Sequence, residues 1–552
     1  MKQLLLFFCM FLSAFSLLAQ VGGTELPTSW TRDVDTNFKP IVLPPIDFSR
    51  IAQEDSINDF NKSLPWRYGI EQGISVNIKD RGELVVLDNG DKIWRIAFTS
   101  QGAVNLSVNF SKFVLPVGSR LQLYNGANSD VSTVYTHLHN RSNQRAGTWF
   151  LEGDEIWIEY FEPVTTASDF KLEIESIIHG YRMGQVSQLV YGNRDLNDAG
   201  ECNYDVNCEV GQDFDGIKNT VKKAVALLNL GNGYLCSSVL LNNVERDKTP
   251  YLLTANHCLD NSNTDLWSAR FNWISPAPIC GTGEETMGVE NNFTLSGAEV
   301  KANNPLSDFA LVEFYNGIPD SWDVAFAGWD NTDTNPGFGV GIHHPNGDIM
   351  KICRDNSGAV KENAQGVEVW LIGGGSAGTG NGWELGTTES GSSGSPLFNE
   401  NGYIIGQLYG GQSFCDGTSN NGEFDIYGRF AVSWDAGNSE SQRLKDWLDP
   451  QQTGQTQIET LSNILSIPEN EFIGDLQIYP NPVSSLITVM NSKYPNLTYG
   501  LYDVVGKQMQ QGTLHNTSNT ISVENLADGV YFLHLVNQDD SNAITKKIVV
   551  RK

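Results

Sequence analysis

A side-chain alternation of period two marks both ends of this 552-residue chain. In "AVNLSVNF", Val104, Leu106, Val108 and Phe110 fall on one face, and Asn105, Ser107 and Asn109 on the other. "KIWRIAF" and "DEIWIEYF" alternate in the same way. Successive strand side chains point to opposite faces, so the pattern specifies sheets with one apolar side and predicts a β-sandwich over residues 20–195. From "LQIYPNPVSSLITV" to "KKIVVRK" the alternation returns, broken by turn pairs such as Asp528-Gly529, and predicts a second, smaller β-sandwich over 473–552.

Between them, residues 196–450 are rich in Gly and Asn, with short apolar strands. They end in "SQRLKDWLDP", whose spacing predicts a closing helix stopped by proline. The polar stretch 451–472 reads as a linker. Residues 1–19 carry one Lys, an apolar run and a small residue at Ala19, which predicts a secretory signal peptide. No later stretch approaches the ~18 consecutive apolar residues of a membrane span. With 36 Lys plus Arg against 65 Asp plus Glu, the net charge of -29 argues against nucleic acid as a partner.

Cys9 leaves with the signal, and the other seven cysteines all lie between Cys202 and Cys415. Export makes disulfides the default reading, and an odd count leaves one thiol over. No paired CxxC knuckle occurs, so no metal site is expected, and no cofactor. His137 and His139 in "YTHLHN" read as surface strand residues.

Acyl transfer by a serine needs a histidine base, a carboxylate that orients it, the nucleophile, and N–H groups aimed at the oxyanion. The central block supplies a candidate for each. "YLLTANHCLD" runs an apolar strand into His257, with Cys258 able to anchor the loop to a neighbour such as Cys236. "NNPLSDFALVEF" puts Asp308 at the start of an apolar strand, where a carboxylate needs a hydrogen-bonding partner. In "SGSSGSP", Gly391 and Gly394 bracket Ser392 and Ser393, so the backbone can bend sharply. Ser393 is the candidate nucleophile, and the N–H groups of Gly391 and Ser393 the candidate oxyanion hole.

"LTANHC", "SDFALVEF" and "GSSGSPLF" occur in the His, Asp, Ser order of the chymotrypsin-like fold. Together with "CNYDVNC", "AGWDNTDTNPGFGVGIHHPNGD", "GQLYGG", "DIYGRF" and "RLKDWLDP", they resemble the bacterial lysyl endopeptidase family over about 250 residues. The resemblance implies an all-β, two-barrel serine protease with the triad His257, Asp308 and Ser393 in the cleft. It implies a specificity pocket based on Asp425, with Tyr409 and Gly410 of "GQLYGG" as pocket wall and substrate-pairing edge. A buried carboxylate selects a cation, so cleavage after Lys is expected. Tyr409 stands where the family has a histidine and Ile372 where it has a tryptophan, which leaves Lys alone, or Lys and Arg both, open. His343 and His344 are expected to be structural. The implied disulfides are Cys202–Cys415, Cys208–Cys280 and Cys236–Cys258, with Cys353 free.

The N-terminal sandwich resembles propeptides of this family and is expected to cover the cleft before removal. Arg194 is the one basic residue between Arg182 and Cys202, and self-release there would need tolerance of Arg. The tail's "IYPNPVSSLITV", "LYDVVGKQM" and "LADGVYFLHLV" resemble sorting domains read by the type IX secretion system. They imply passage through the periplasm of a Gram-negative bacterium and a secreted or surface-anchored product. The expected partners are that machinery and protein or peptide substrates, with the enzyme a monomer. The competing readings are an endopeptidase of another specificity and an adhesin or binding protein on an inactive protease scaffold.

Overall fold

Strand Asn105–Val114 keeps the predicted alternation, with Leu106, Val108 and Phe110 entering the core of a β-sandwich. The computed structural model describes residues 26–32, 34, 38–183, 199–281, 293–373, 382–463, 476–480, 482–491, 497–503, 506–515, 518–537 and 543–552. The signal peptide, Arg194 and the second half of the expected linker lie outside the described residues. Among the described residues no helix is long and apolar enough to cross a membrane. The chain divides into two compact units, Met1–Ile464 and Leu465–Lys552.

One sheet of the N-terminal sandwich orders Ile41–Val42, Lys92–Thr99, Glu155–Glu162 and Arg120–Asn125, with Glu83–Val86 beside the second of these. The other orders Gly69–Asn77, Lys171–Gly180, Asn105–Val114 and Ala146–Gly147, with Leu151–Glu152 beside the third. Asn105, Ser107 and Asn109 on the polar side of Asn105–Val114 are also buried, and the central block provides part of the cover. Asn109 donates to the carbonyl of Gly231 at 2.7 Å, so the buried amide is satisfied by the next domain. His137 and His139 differ from expectation. They lie in the 3-10 turn His137–His139, where His139 Nδ1 accepts the Thr136 N–H and closes a capping box, which a strand could not do.

The central block is built on two sheets. The first runs Phe293–Ser296, Ser268–Phe271, Val225–Asn229, Tyr234–Leu241, Tyr251–Ala255, Phe309–Phe314, Ala298–Asn304, and takes Trp66–Arg67 of the N-terminal part alongside Tyr234–Leu241. The second runs Tyr204–Asp205, Lys351–Asp355, Gly339–His343, Pro396–Phe398, Ile404–Gly411, Asp425–Arg429, Val367–Ile372, Val360–Ala364. Val239, Leu253 and Phe309 of the first pack in one core with Val340, Ile342 and Phe398 of the second. Each such side chain contributes about 1.5–3 kcal/mol by leaving water. The all-β expectation is met.

The closing helix is a single turn, Lys445–Leu448. Part of the stretch read as linker belongs to this body: Gln457–Ile458 pairs with Trp329–Asp330 and Leu461–Ser462 with Ala325–Phe326. Two-residue strands are too short to leave a period in the sequence. In the second unit, Leu476–Tyr479, Leu486–Asn491 and Ser518–Ser522 form one sheet, and Gln508–Leu514, Leu497–Asp503, Gly529–Asn537 and Ala543–Val550 the other. Ile487, Val489, Leu501, Leu533 and Leu535 fill the space between them.

All three implied disulfides are present, and Cys353 is a buried free thiol. Cys236–Cys258 spans 22 residues and ties the turn carrying His257 to the neighbouring strand. Closing a loop of that size is worth roughly 3 kcal/mol in chain entropy. Replacing both cysteines by alanine is expected to lower the thermal midpoint by several degrees, measured by calorimetry against the unaltered chain.

Candidate functional site between the two sheets

His257 sits in the 3-10 turn Asn256–Leu259 that ends strand Tyr251–Ala255, and Asp308 immediately precedes the adjacent strand Phe309–Phe314. The antiparallel pairing of those strands sets Ala255 opposite Phe309, which brings the two side chains together. Asp308 Oδ2 lies 2.9 Å from His257 Nδ1, and Asp308 Oδ1 accepts the His257 N–H at 3.1 Å. The Asp308 backbone has φ 51°, a left-handed conformation that costs a non-glycine residue on the order of 1 kcal/mol or more. The Asn256 N–H bonded to the Asp308 carbonyl at 2.8 Å helps hold it there. Burial pushes the Asp308 carboxyl up from its ordinary range, and the neighbouring His257 opposes that. Among the described residues, His257 Nε2 has no hydrogen-bond partner.

Ser393 comes from the second sheet, in the turn before strand Pro396–Phe398. Gly391 and Gly394 have φ of 86° and 81°. A Cβ at Gly394 would stand 2.2 Å from Thr254 Oγ1 and 2.6 Å from Ala255 N, so only glycine lets this turn press against the strand that carries His257. Ser237 fixes the turn from the first sheet: its N–H donates to the Ser393 carbonyl at 2.8 Å and its hydroxyl to the Gly391 carbonyl at 2.9 Å. Among the described residues, no protein acceptor takes the N–H of Gly391 or of Ser393.

His343 and His344 lie under this turn. His343 Nδ1 is 2.8 Å from Ser392 Oγ, and His344 Nδ1 is 2.9 Å from the Asp348 carbonyl. Both are fully buried. Burial holds the His343 imidazole well below its ordinary value and lowers that of His344 to about 4.

Asp425, at the head of strand Asp425–Arg429, is fully buried. Its Oδ2 accepts from Trp383 Nε1 at 2.7 Å, Thr388 Oγ1 at 2.7 Å and Ser413 Oγ at 2.5 Å. Its Oδ1 receives the ammonium of Lys62, a residue of the N-terminal part. Lys62 Nζ also donates to Thr388 Oγ1 and to the carbonyl and hydroxyl of Ser413, each at 2.8 Å. Gly411, at φ 153°, leaves room for the carboxylate, since a Cβ there would fall 2.1 Å from Asp425 Oδ1. The Lys62 carbonyl oxygen accepts from Ser393 Oγ at 2.8 Å. Tyr409 packs its ring 6.1 Å from that of His257, and Gly410 faces Ser63.

The structure therefore sets the candidate triad, oxyanion-hole and pocket residues around the seam of the two sheets, and adds Lys62, Trp383, Thr388 and Ser413. Ile372, expected beside the pocket in place of a tryptophan, is buried with Trp383 and Tyr427. Trp383 carried no signal in "NGWELG", and Lys62 none in "FNKSLPW".

The site thus lies at the seam of two β-sheets in an all-β block. Residues 196–428 match the family model described as the lysyl endopeptidase C-terminal domain, and residues 477–551 that of the secretion system C-terminal sorting domain. A lysyl endopeptidase from Pseudomonas aeruginosa is 27% identical over 283 residues, covering 48% of this chain and 56% of the relative. The chain thus spans about half the length of the curated relative it matches. A solved structure of PorZ, described as a surface component of the type IX secretion system of Porphyromonas gingivalis, matches at 11% identity. It covers 58% of this chain and 39% of the other, with a TM-score of 0.14. A biofilm-associated protein BSP domain matches at 8% identity over 89% of this chain and 83% of that one, with a TM-score of 0.13. At such scores neither bears on the fold. Residues 196–428 form a domain of the lysyl endopeptidase family, followed by a type IX sorting domain. That tail marks the chain for export to the surface or surroundings of a Gram-negative bacterium.

The buried histidines give this site an acid limit. A histidine kept neutral in the fold adds stability above its unfolded value near 6.5, and loses it as the pH falls toward the folded value. For His344 the window runs from about 6.5 to about 4, worth roughly 3 kcal/mol at its acid end. The thermal midpoint should fall across that window, and His344→Gln should flatten the dependence.

Proposed function

We propose that the central block is a secreted serine endopeptidase that cuts peptide bonds after lysine. The observation that carries this reading is the position of Lys62, whose ammonium fills the Asp425 pocket while its carbonyl reaches Ser393 Oγ. A lysine side chain and the nucleophile are thereby spaced as a lysyl substrate would need them.

In the proposed reaction, Ser393 Oγ passes its proton to His257 Nε2 and attacks the carbonyl carbon of the substrate lysine. Asp308 holds the imidazole by Nδ1 and stabilises the imidazolium that forms. The N–H groups of Gly391 and Ser393 receive the oxyanion. The C–N bond breaks as His257 returns the proton to the leaving amine, and water then releases the lysyl acid from the acyl-enzyme. Tyr409 walls the cleft beside His257.

Lysine is favoured over arginine because only one oxygen of Asp425 is open to a substrate. Three donors occupy Oδ2. A guanidinium binds best to both oxygens of a carboxylate at once, whereas an ammonium needs one oxygen and a few neutral acceptors around it. The N-terminal sandwich is proposed to be removed from the mature enzyme.

Ser393→Ala is expected to lower kcat by roughly 10⁵-fold or more on a peptide library, read by mass spectrometry. Cuts should follow Lys in large excess over Arg. Trp383→Phe, which removes one of the three donors on Oδ2, should narrow the Lys to Arg ratio of kcat/KM. Cleavage that persists in Ser393→Ala would refute the mechanism.

A further inference from the structure

Lys62 lies in the pocket, but the chain around it is not laid out as a substrate. The Leu64 N–H donates to the Asn61 carbonyl at 3.1 Å, and the Ser63 N–H to Asn61 Oδ1 at 3.2 Å. Lys62 and Ser63 are therefore the central pair of a β-turn, whereas a protease substrate lies extended along an edge strand. Ser393 spends its hydroxyl proton on the Lys62 carbonyl oxygen instead of on His257 Nε2.

Both flanks of the turn are fastened. On the N-terminal side the Ser390 hydroxyl donates to the Asp59 carbonyl at 2.8 Å, Phe60 meets Phe414 edge to face, and Arg182 pairs with Asp59 at 2.9 Å. On the C-terminal side Trp66–Arg67 joins the sheet next to Tyr234–Leu235, and Arg67 reaches back to Asp55 at 2.6 Å. A lysine held by both shoulders enters the pocket at a high effective concentration, with little ordering left to lose. If the Lys62–Ser63 bond were opened, the new amine would stay beside the acyl group and close it again.

Resting on the lysyl endopeptidase reading, we propose a second function for this chain: the Asn61–Leu64 turn is a built-in protease inhibitor. It uses the enzyme's own specificity, with Lys62 as the bait and a turn geometry that keeps the Lys62–Ser63 bond uncut. The cleft is closed by a ligand matched to its pocket and not merely by bulk. The buried pair also opposes opening of the cleft. With Lys62 withdrawn, the Asp425 carboxylate is buried without a counter-charge until water or a substrate cation enters.

The test uses the full-length chain before any maturation, as wild type, Lys62→Gln, Arg182→Ala and Ser393→Ala. Labelling by a fluorophosphonate probe of activated serine is followed over time, and circular dichroism checks the fold. Lys62→Gln should label at least tenfold faster than wild type, Arg182→Ala by an intermediate amount, and Ser393→Ala not at all. Peptide mapping of wild type should find the Lys62–Ser63 bond intact. Equal labelling of wild type and Lys62→Gln overturns the proposal, and so does a wild-type chain cut at that bond. If Lys62→Gln does not fold, Arg182→Ala decides, since it loosens the turn without touching pocket or nucleophile. A matured sample, whose mass shows the N-terminal part gone, separates the two readings. Labelling there with no difference among the unprocessed chains defeats only the inhibitor. A folded, matured sample that does not label defeats the endopeptidase reading itself.

Discussion

A carboxylate with no access to water must be answered by charge or by hydrogen bonds, and Asp425 organises the cleft around that requirement. Trp383, Thr388 and Ser413 saturate one oxygen, and the other waits for a cation. Gly411 has no side chain because a Cβ would collide with that oxygen. The whole pocket is thus a cage for one ammonium group. In this structure the chain supplies the ammonium itself, from a segment more than 360 residues earlier.

The candidate catalytic constellation depends on a different constraint, the close seating of one sheet on another. His257 and Asp308 come from adjacent strands of the first sheet, so their pairing follows from strand register. Ser393 comes from the second, in a turn that Gly394 lets press against Thr254 and Ala255 of the first. Ser237 hydrogen bonds to both Gly391 and Ser393 carbonyls, and among the described residues the N–H groups of Gly391 and Ser393 meet no protein acceptor. Buried, neutral His343 and His344 support the same turn from below. Much of the polar content of the core therefore serves to place one serine.

Much of this was legible in the sequence. Alternation disclosed the two sandwiches because each buries one face of its strands against the other sheet. The triad candidates, Asp425 and the three disulfides were legible because each sits in a short motif whose order and spacing resemble a known family. The limits of that legibility are physical. Asn105 and Asn109 looked like a polar outer face, yet both are buried, Asn105 under the Arg182–Met183 segment and Asn109 against Gly231 of the central block. Only the docked structure shows their partners. Trp383 acts through one indole N–H, which no pattern in a Gly-rich loop announces. Lys62 is a single lysine in a polar stretch, and it matters only because the fold carries it across to Asp425. Contacts between distant segments of this kind leave no period and no motif.

The Asp425 carboxylate is proposed to select lysine. The direct measurement is kcat/KM of the matured enzyme on two peptides that differ only in Lys or Gln before the cut, for wild type and for Asp425→Asn. A large Lys preference in wild type is expected to collapse in Asp425→Asn through loss of the Lys substrate, with the Gln peptide little changed. An undiminished Lys preference in Asp425→Asn would contradict it.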